Sequence, residues 1–323
     1  MARTIVGILR GGTSSEYDSS LKSGAALLQA LPEDRYDTRD IFIDKTGLWH
    51  SRGMPAEPAR ALSQIDVVLN ALHGGAGEDG TVQRILRQAG IPYAGSNALA
   101  MNASLNKSIA RQVLQNAGVR IPQGIAFTVR DGTTGEMALK AFSAFPPPYV
   151  VKPALEGSSF GISIAETLIA LPDAIGDVLD EFGIALVEEF VIGKEASIGV
   201  IENFRNEQLY TLPPVRIILP AGARYLDRGV LSDSAHTFEV PSNFTHEQKL
   251  AIADMARKAH RALGLTHFSN ADIIMSNHGP YLLEVNGSPA LHDKAPFHHM
   301  LESVGSSIRD FAEHAVALAQ EHS

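Results

Sequence analysis

Cysteine is absent from all 323 residues, and that one absence removes several chemistries together. It leaves no disulfide framework, no thiolate nucleophile and no thiolate zinc site, so any metal must sit on oxygen or imidazole. Long apolar runs are missing as well. The start, Met1 to Arg10, holds only a short β-branched run before Gly11 and Gly12. It lacks the apolar stretch of a signal peptide or membrane span, and a cytoplasmic protein without membrane partners is expected. Positive charge is in short supply: 27 Lys and Arg against 36 Asp and Glu give a formal net charge of -9. That balance offers nucleic acid no basic footprint, so anionic ligands have to be met by local clusters of cations. No low-complexity tract interrupts a chain that is 45% hydrophobic and 20% charged, which marks it as globular throughout. Its length suits two or three domains of ~100 to 150 residues each.

What is present reads first as alternating strands and helices. Thr4 to Leu9 is a strand pattern, followed by Gly11-Gly12 and a helical pattern over Ser19 to Leu31. Strand patterns recur at Tyr36 to Ile43 and at Val67 to Leu72, the latter running straight into His73-Gly74-Gly75. Such alternation predicts a parallel sheet with ligands at the strand C-termini. The first domain is expected to close near Tyr93-Ala94-Gly95. Asn102 to Ala117 predicts one helix, Arg130 to Glu136 a surface loop, and Tyr149 to Val151, Leu186 to Phe190 and Ala196 to Ile201 strands. His246 to Leu263 and Ser306 to Ala319 read as helices, while Asn277-His278-Gly279 marks a hairpin.

Three groups of residues carry chemistry. Lys152 leads a small-residue loop, Glu156-Gly157-Ser158-Ser159, in which backbone N–H groups can close over phosphate oxygens beside a fixed positive charge. It lacks P-loop spacing, so a different nucleotide fold is needed. Asp272, Glu284 and Asn286 lie on the two strands of the hairpin and offer the hard oxygen ligands that magnesium prefers when it bridges phosphates. Glu188, Glu189, Phe190 and Val191 form a strand-to-linker segment whose backbone can read an adenine edge, and Glu195 is spaced to accept from ribose hydroxyls.

The order of these features, with Lys107 ahead of them, resembles the ATP-grasp superfamily. Within it the chain is similar to the D-alanine–D-alanine ligase family over nearly its entire length. The blocks that carry the likeness are Gly11-Gly12-x-Ser14-x-Glu16, His73-Gly74-x-x-Gly77-Glu78-Asp79-Gly80 with Gln83, Gly90-Ile91-Pro92-Tyr93-x-Gly95, and Leu282-Leu283-Glu284-Val285-Asn286. The resemblance implies an α/β (α+β ATP-grasp) fold: an N-terminal parallel α/β domain over residues 1–100, then two ATP-grasp subdomains over 101–185 and 186–323. It implies ATP as cosubstrate and two magnesium ions, or manganese in their place, held by Asp272, Glu284 and Asn286. Lys107 and Lys152 would contact phosphates, Glu188 and the 189–191 backbone the adenine, and Glu195 the ribose. Glu16 would bind the ammonium of the first amino acid, with His73 nearby and Ser158 orienting both. A carboxylate is phosphorylated and then attacked by an amine, and the implied substrates are amino acids, D-alanine foremost. A homodimer is a further family expectation.

The chain departs from the family in three places. The family's Arg-x-Asp ahead of the metal carboxylate is here Asn270-Ala271-Asp272, so Asn270 stands at a catalytic position without the charge. Loss of a charge-assisted donor in a closed site costs ~10²-fold in rate. Beyond Asn286 the loop reads Gly287-Ser288-Pro289-Ala290-Leu291-His292-Asp293-Lys294-Ala295, and Ala295 replaces the serine that binds the second carboxylate. Ala290 and Lys294, or His292, are the substrate-binding candidates there. The family's lid pattern is absent between Pro220 and His236, where Arg224, Tyr225 and Arg228 are the comparable groups. Two other readings share these residues. One is a ligase for a different amino-acid pair, favoured by Ala295 and Asn270. The other is a nucleotide-binding pseudoenzyme, favoured by Asn270 and the lid.

Overall fold

A computed structural model of the protein describes residues 3–157, 161–219 and 237–321. The first sheet is built from β1 (Thr4–Gly11), β2 (Tyr36–Ile43), β3 (Trp49–Ser51), β4 (Met54–Pro55), β5 (Val67–Asn70) and β6 (Tyr93–Ala94), in the order β4-β3-β2-β1-β5-β6. β1 runs parallel to β2 and β5, and β5 runs parallel to β6, as the strand and helix alternation predicts. The β3–β4 hairpin adds an antiparallel edge. Two of the three helices of this region frame the site: α1 (Tyr17–Ala30) after the glycine turn and α3 (Thr81–Gln88), with the short α2 (Pro58–Ala61) between them.

The expected single helix over Asn102 to Ala117 is two, α4 (Ala98–Leu105) and α5 (Lys107–Asn116). Asn106 causes the break. Its backbone leaves the helical region, and its side chain accepts from the N–H groups of Ser108 and Ile109, which caps a new helix. Lys107 thereby becomes the first residue of α5. The expected loop at Arg130 to Glu136 needs a similar correction. Thr133 and Glu136 form a capping box that starts α6 (Thr134–Ala144), so polar residues read as loop are helix caps.

The middle sheet consists of β7 (Gly124–Thr128), β8 (Tyr149–Pro153), β9 (Ser163–Ala165) and β10 (Ile184–Glu189), ordered β7-β10-β8-β9 and antiparallel throughout. α6 and α7 (Leu171–Phe182) cover it around Phe127, Met137 and Tyr149. The expected division between residues 185 and 186 falls inside β10, which stays with this sheet.

The third sheet contains β11 (Lys194–Phe204), β12 (Glu207–Thr211), β13 (Val215–Ile218), β14 (Thr237–Glu239), β15 (Phe268–Ser276) and β16 (Gly279–Asn286). It is ordered β14-β13-β11-β15-β16, with β12 paired to β11 and α8 (His246–Ala262) packed on one face. The chain then returns to its beginning. After α9 (Pro296–Ser303), α10 (Ile308–Glu321) packs on α1, β5 and β6. Phe297 and Phe311 share a core with Val6, Ile8, Val67 and Leu69. Each buried ring of this kind contributes ~2 to 3 kcal/mol of burial, enough to tie the first sheet firmly to the third.

Candidate active site

Period two in a strand decides which residues can meet. In β15 and β16, Asn270 lies opposite Asn286 and Asp272 opposite Glu284, so these four side chains share one face of the third sheet. A register shift at Asp272/Ile273 bends the pair just beyond them, a device that re-aims side chains beside active sites. Ser197 of β11 faces Asp272, and Glu195 lies two residues before it on the same face. Like charges then crowd. Burial, followed by repulsion from Asp272 and Glu284, pushes Glu195 up to about 8. Burial and Glu284 also raise Asp272, against hydrogen bonds from Ser197 and Asn270. Burial alone would raise Glu284 too, yet the charges of Lys107 and Lys152 outweigh it and hold that carboxyl below its ordinary value.

Those lysines come from other elements. Lys107 opens α5 and donates its backbone N–H to Ala154 O at 2.9 Å. Its ammonium donates to Glu156 O at 2.6 Å and lies 3.3 Å from Glu284 Oε2. Lys152 sits on β8 and pairs with Glu188 Oε2 of β10 at 2.6 Å, both residues being buried. Arg111, one turn after Lys107 on α5, takes the other Glu188 oxygen. Removing one member of such a buried group costs ~3 to 5 kcal/mol, since it strands a charge.

Between the middle and third sheets lies a cavity of about 510 Å³, lined by Lys152, Glu188, Glu189, Phe190, Val191 and Glu195 among others. That volume falls in the range of small-molecule sites, ~300 to 1,000 Å³. Six of the seven residues expected to contact ATP therefore line one cavity, and the seventh, Lys107, is outside that lining and pairs with Glu284. Glu188 is placed as the counter-ion of Lys152 rather than with its carboxylate free for a base. In the linker, the N–H groups of Glu189 and Phe190 donate to Gln123 O and Pro148 O.

The residues expected at the amino-acid end gather between α1, the β5–α3 turn and the loop after β16. Ser14 Oγ donates to His73 O at 2.5 Å and accepts from Glu16 N, which fixes the turn that carries Glu16. A Cβ on Gly157 would lie 2.5 Å from Glu16 Oε1, so the phosphate loop meets the Glu16 carboxylate with bare backbone. His73 is buried, bonded through Nε2 to Ser23 Oγ at 2.9 Å, with Glu78 3.8 Å from Nδ1. Ser23 also accepts from Leu291 N and so ties α1 to the loop that holds Ala290. His292 Nδ1 accepts from Lys294 N, which leaves the proton on Nε2, 3.4 Å from Ser19 Oγ. Burial and the nearby charges of His73 and Lys22 pull His292 down to about 4, so it is neutral at physiological pH. Lys294 is exposed and Ala295 buried at the start of α9.

Asn270 does not point away from the acids in search of a substrate. Its Nδ2 donates to Ser197 Oγ at 2.9 Å and to Asp272 Oδ1 at 3.1 Å, while Ser197 Oγ donates to the same Asp272 oxygen at 2.6 Å. Ser158 and the segment with Arg224, Tyr225 and Arg228 lie outside the described residues. Arg111, Ser197 and Ser23 are missing from the sequence expectations. The first two had a signal: Arg111 is four residues after Lys107 on a helix, and Ser197 is two after Glu195 on a strand.

The model of the D-ala D-ala ligase N-terminus matches residues 50–96, and that of the D-ala D-ala ligase C-terminus matches residues 113–317. The D-alanine–D-alanine ligase of Desulforudis audaxviator is 31% identical over 319 residues, covering 98% of both chains. The chain belongs to the D-alanine–D-alanine ligase family. The fold is ATP-grasp, and the protein is an ATP-dependent ligase. Among solved structures, D-alanyl-alanine synthetase A from Vibrio cholerae superposes with a TM-score of 0.88 at 25% identity, covering 100% of both chains. The ligase of Bacillus anthracis complexed with ATP superposes with a TM-score of 0.82 at 22% identity, covering 99% of this chain and 98% of that one. Among the described residues no helix is long and apolar enough to cross a membrane.

Proposed function

We propose that the protein joins two D-alanines with ATP, in the cytoplasm, as a step of peptidoglycan precursor synthesis. The observation that carries this reading is the convergence of Lys107 and Lys152 on Glu284 from two other elements, Lys152 itself lining a nucleotide-sized cavity. Membership of the family supports the choice of substrate.

In the first step a carboxylate oxygen of one D-alanine attacks the γ-phosphorus of ATP, the bridging P–O bond breaks, and ADP leaves. Lys152 and Lys107 offset the charge that builds on the phosphate oxygens, where fixed cations act most strongly. Glu16 holds the ammonium of that D-alanine, and Gly157 keeps the phosphate loop close enough for the two to share a substrate. The N–H groups of Glu189 and Phe190 are bonded within the protein, so in this reading the adenine is met by other backbone groups of the 189–191 segment. In the second step the neutral amine of the other D-alanine attacks the acyl carbon and phosphate leaves. The closed cleft must exclude water at that point, since water would hydrolyse the acylphosphate.

The donor set fits magnesium. No three His, Asp or Glu residues cluster as a self-sufficient metal site among the described residues. Two carboxylates and an Asn carbonyl on one sheet face are what a phosphate-bound magnesium needs, with phosphate oxygens and water completing its shell. Burial first, and then the neighbouring carboxylates, raise Asp272 and Glu195, and a bound cation would offset both effects. When bound, magnesium would be held by Asp272, Glu284 and Asn286 and would neutralise charge on the transferring group.

Phosphate release by the purified protein, with ATP, magnesium and a panel of D- and L-amino acids, tests the proposal. Turnover that depends on D-alanine is expected. Turnover only with another pair would move the activity to a different substrate, the reading that Ala295 and Asn270 favour. ATP binding without turnover would mark a pseudoenzyme.

A further inference from the structure

Lys152 cannot serve two anions equally. Its ammonium is committed to Glu188 Oε2 at 2.6 Å. To meet an incoming phosphate it has to loosen that contact, which would leave a carboxylate only 3% exposed without its partner. An uncompensated buried charge of that kind resists the change and weakens nucleotide binding.

Arg111 resolves the conflict. Its guanidinium bonds Glu188 Oε1, the oxygen Lys152 does not use, and anchors itself on Pro122 O at 2.8 Å. Space for the pair is reserved by Gly124, directly opposite Glu188 in the sheet. A Cβ there would come within 2.8 Å of Glu188 Cγ and 3.0 Å of Arg111 Nη2. One face of α5 thus carries two cations a turn apart, Lys107 aimed at Glu284 and Arg111 aimed at Glu188. Arginine suits the task because its charge never titrates in a protein and its fork holds two acceptors together.

We propose that Arg111 is a positioning residue of the nucleotide site: it keeps Glu188 paired while the Lys152 ammonium turns from that carboxylate to phosphate. The proposal rests on the cavity being the ATP site. It predicts that removal of Arg111 acts on ATP affinity and leaves the amino-acid end alone.

The test is calorimetric titration of ATP with magnesium into wild type, Arg111→Met, Arg111→Lys, Glu188→Gln and the Arg111→Met/Glu188→Gln double variant. Steady-state KM values for ATP and D-alanine and melting temperatures accompany it. Arg111→Met weakens ATP binding about tenfold, as loss of a charge-assisted partner should, with the D-alanine KM within about twofold of wild type. Arg111→Lys recovers most of the loss. In the Glu188→Gln background, where no charge needs compensating, Arg111→Met has little further effect. Equal ATP affinity in wild type and Arg111→Met would overturn the proposal. So would the same loss in both backgrounds, or a fall in melting temperature that tracks a loss of both KM values. Wild type that fails to bind ATP at all would instead sink the assignment of the cavity, an outcome that the first titration separates from the rest.

Discussion

At the proposed nucleotide end of the cleft three cations, Lys107, Arg111 and Lys152, are interleaved with two carboxylates, Glu188 and Glu284, taken from four different elements. On the α1 side the groups are His73, His292, Ser19 and Ser23, which bond to one another and to backbone. The first arrangement concentrates cations and carboxylates where, in the proposed reading, a triphosphate would sit, and the second sets hydroxyls and the neutral His292 beside the Glu16 carboxylate, around a small zwitterion. The contrast teaches that turnover depends on a network of paired charges at one end and mainly on shape and orientation at the other. Substitutions at the two ends should therefore differ in size and in kind.

The largest effect is expected at Lys152. Lys152→Met should lower kcat by ~10² to 10³-fold, the loss seen when a donor is removed from developing charge, as followed by phosphate release under saturating D-alanine. If Lys152→Met changed only the D-alanine KM, the division between the two ends would be broken.

A middle-sized effect is expected at the third-sheet face. Asn270 and Ser197 both donate to Asp272 Oδ1, so they orient a candidate metal ligand rather than supply the charge of the family's arginine. Asn270→Ala should weaken Mn²⁺ binding in the presence of ATP by about tenfold, the usual scale for a group that steadies a ligand. Paramagnetic relaxation of water protons during the titration measures it. Unchanged Mn²⁺ affinity would mean that the Asn270 amide serves the substrate instead.

The smallest effect is at the neutral end and concerns pH. His292 is pulled down to about 4 from an ordinary value of 6.5, so the unfolded chain binds its proton first as pH falls. Stability from this residue is complete above about pH 6.5 and is lost as pH falls toward 4. His292→Gln should lessen the drop in melting temperature between neutral and mildly acidic buffer. The change will be modest, since the ring is only half-buried and screened. An identical drop in the variant would show that His292 is not what senses acid there.

These two ends were also unequally legible. Lys152, Glu195 and the 272–286 hairpin stand out because strand patterns and local spacing place them, and Lys107 enters through the resemblance to the ATP-grasp superfamily. Arg111 is invisible as a partner of Glu188 because 77 residues separate them and only the tertiary fold brings them together. The His73–Ser23 bond, 50 residues apart, and the Leu291–Ser23 bond, 268 apart, are hidden for the same reason. In the fold, helices α6, α7 and α9 escaped notice. α6 begins with polar capping residues that imitate a loop, and α7 and α9 each carry a proline in the first turn, which reads as a breaker but is at home there.

The central claim is that Lys152 on the middle sheet and Asp272 on the third act on one triphosphate. A double-variant cycle of Lys152→Met and Asp272→Asn, read as ATP dissociation constants in the presence of magnesium, tests it most directly. The account predicts that the second substitution costs much less once the first is made, a coupling of roughly 1 kcal/mol or more. Losses that simply add would contradict it, because two groups that never share a ligand have no reason to feel each other.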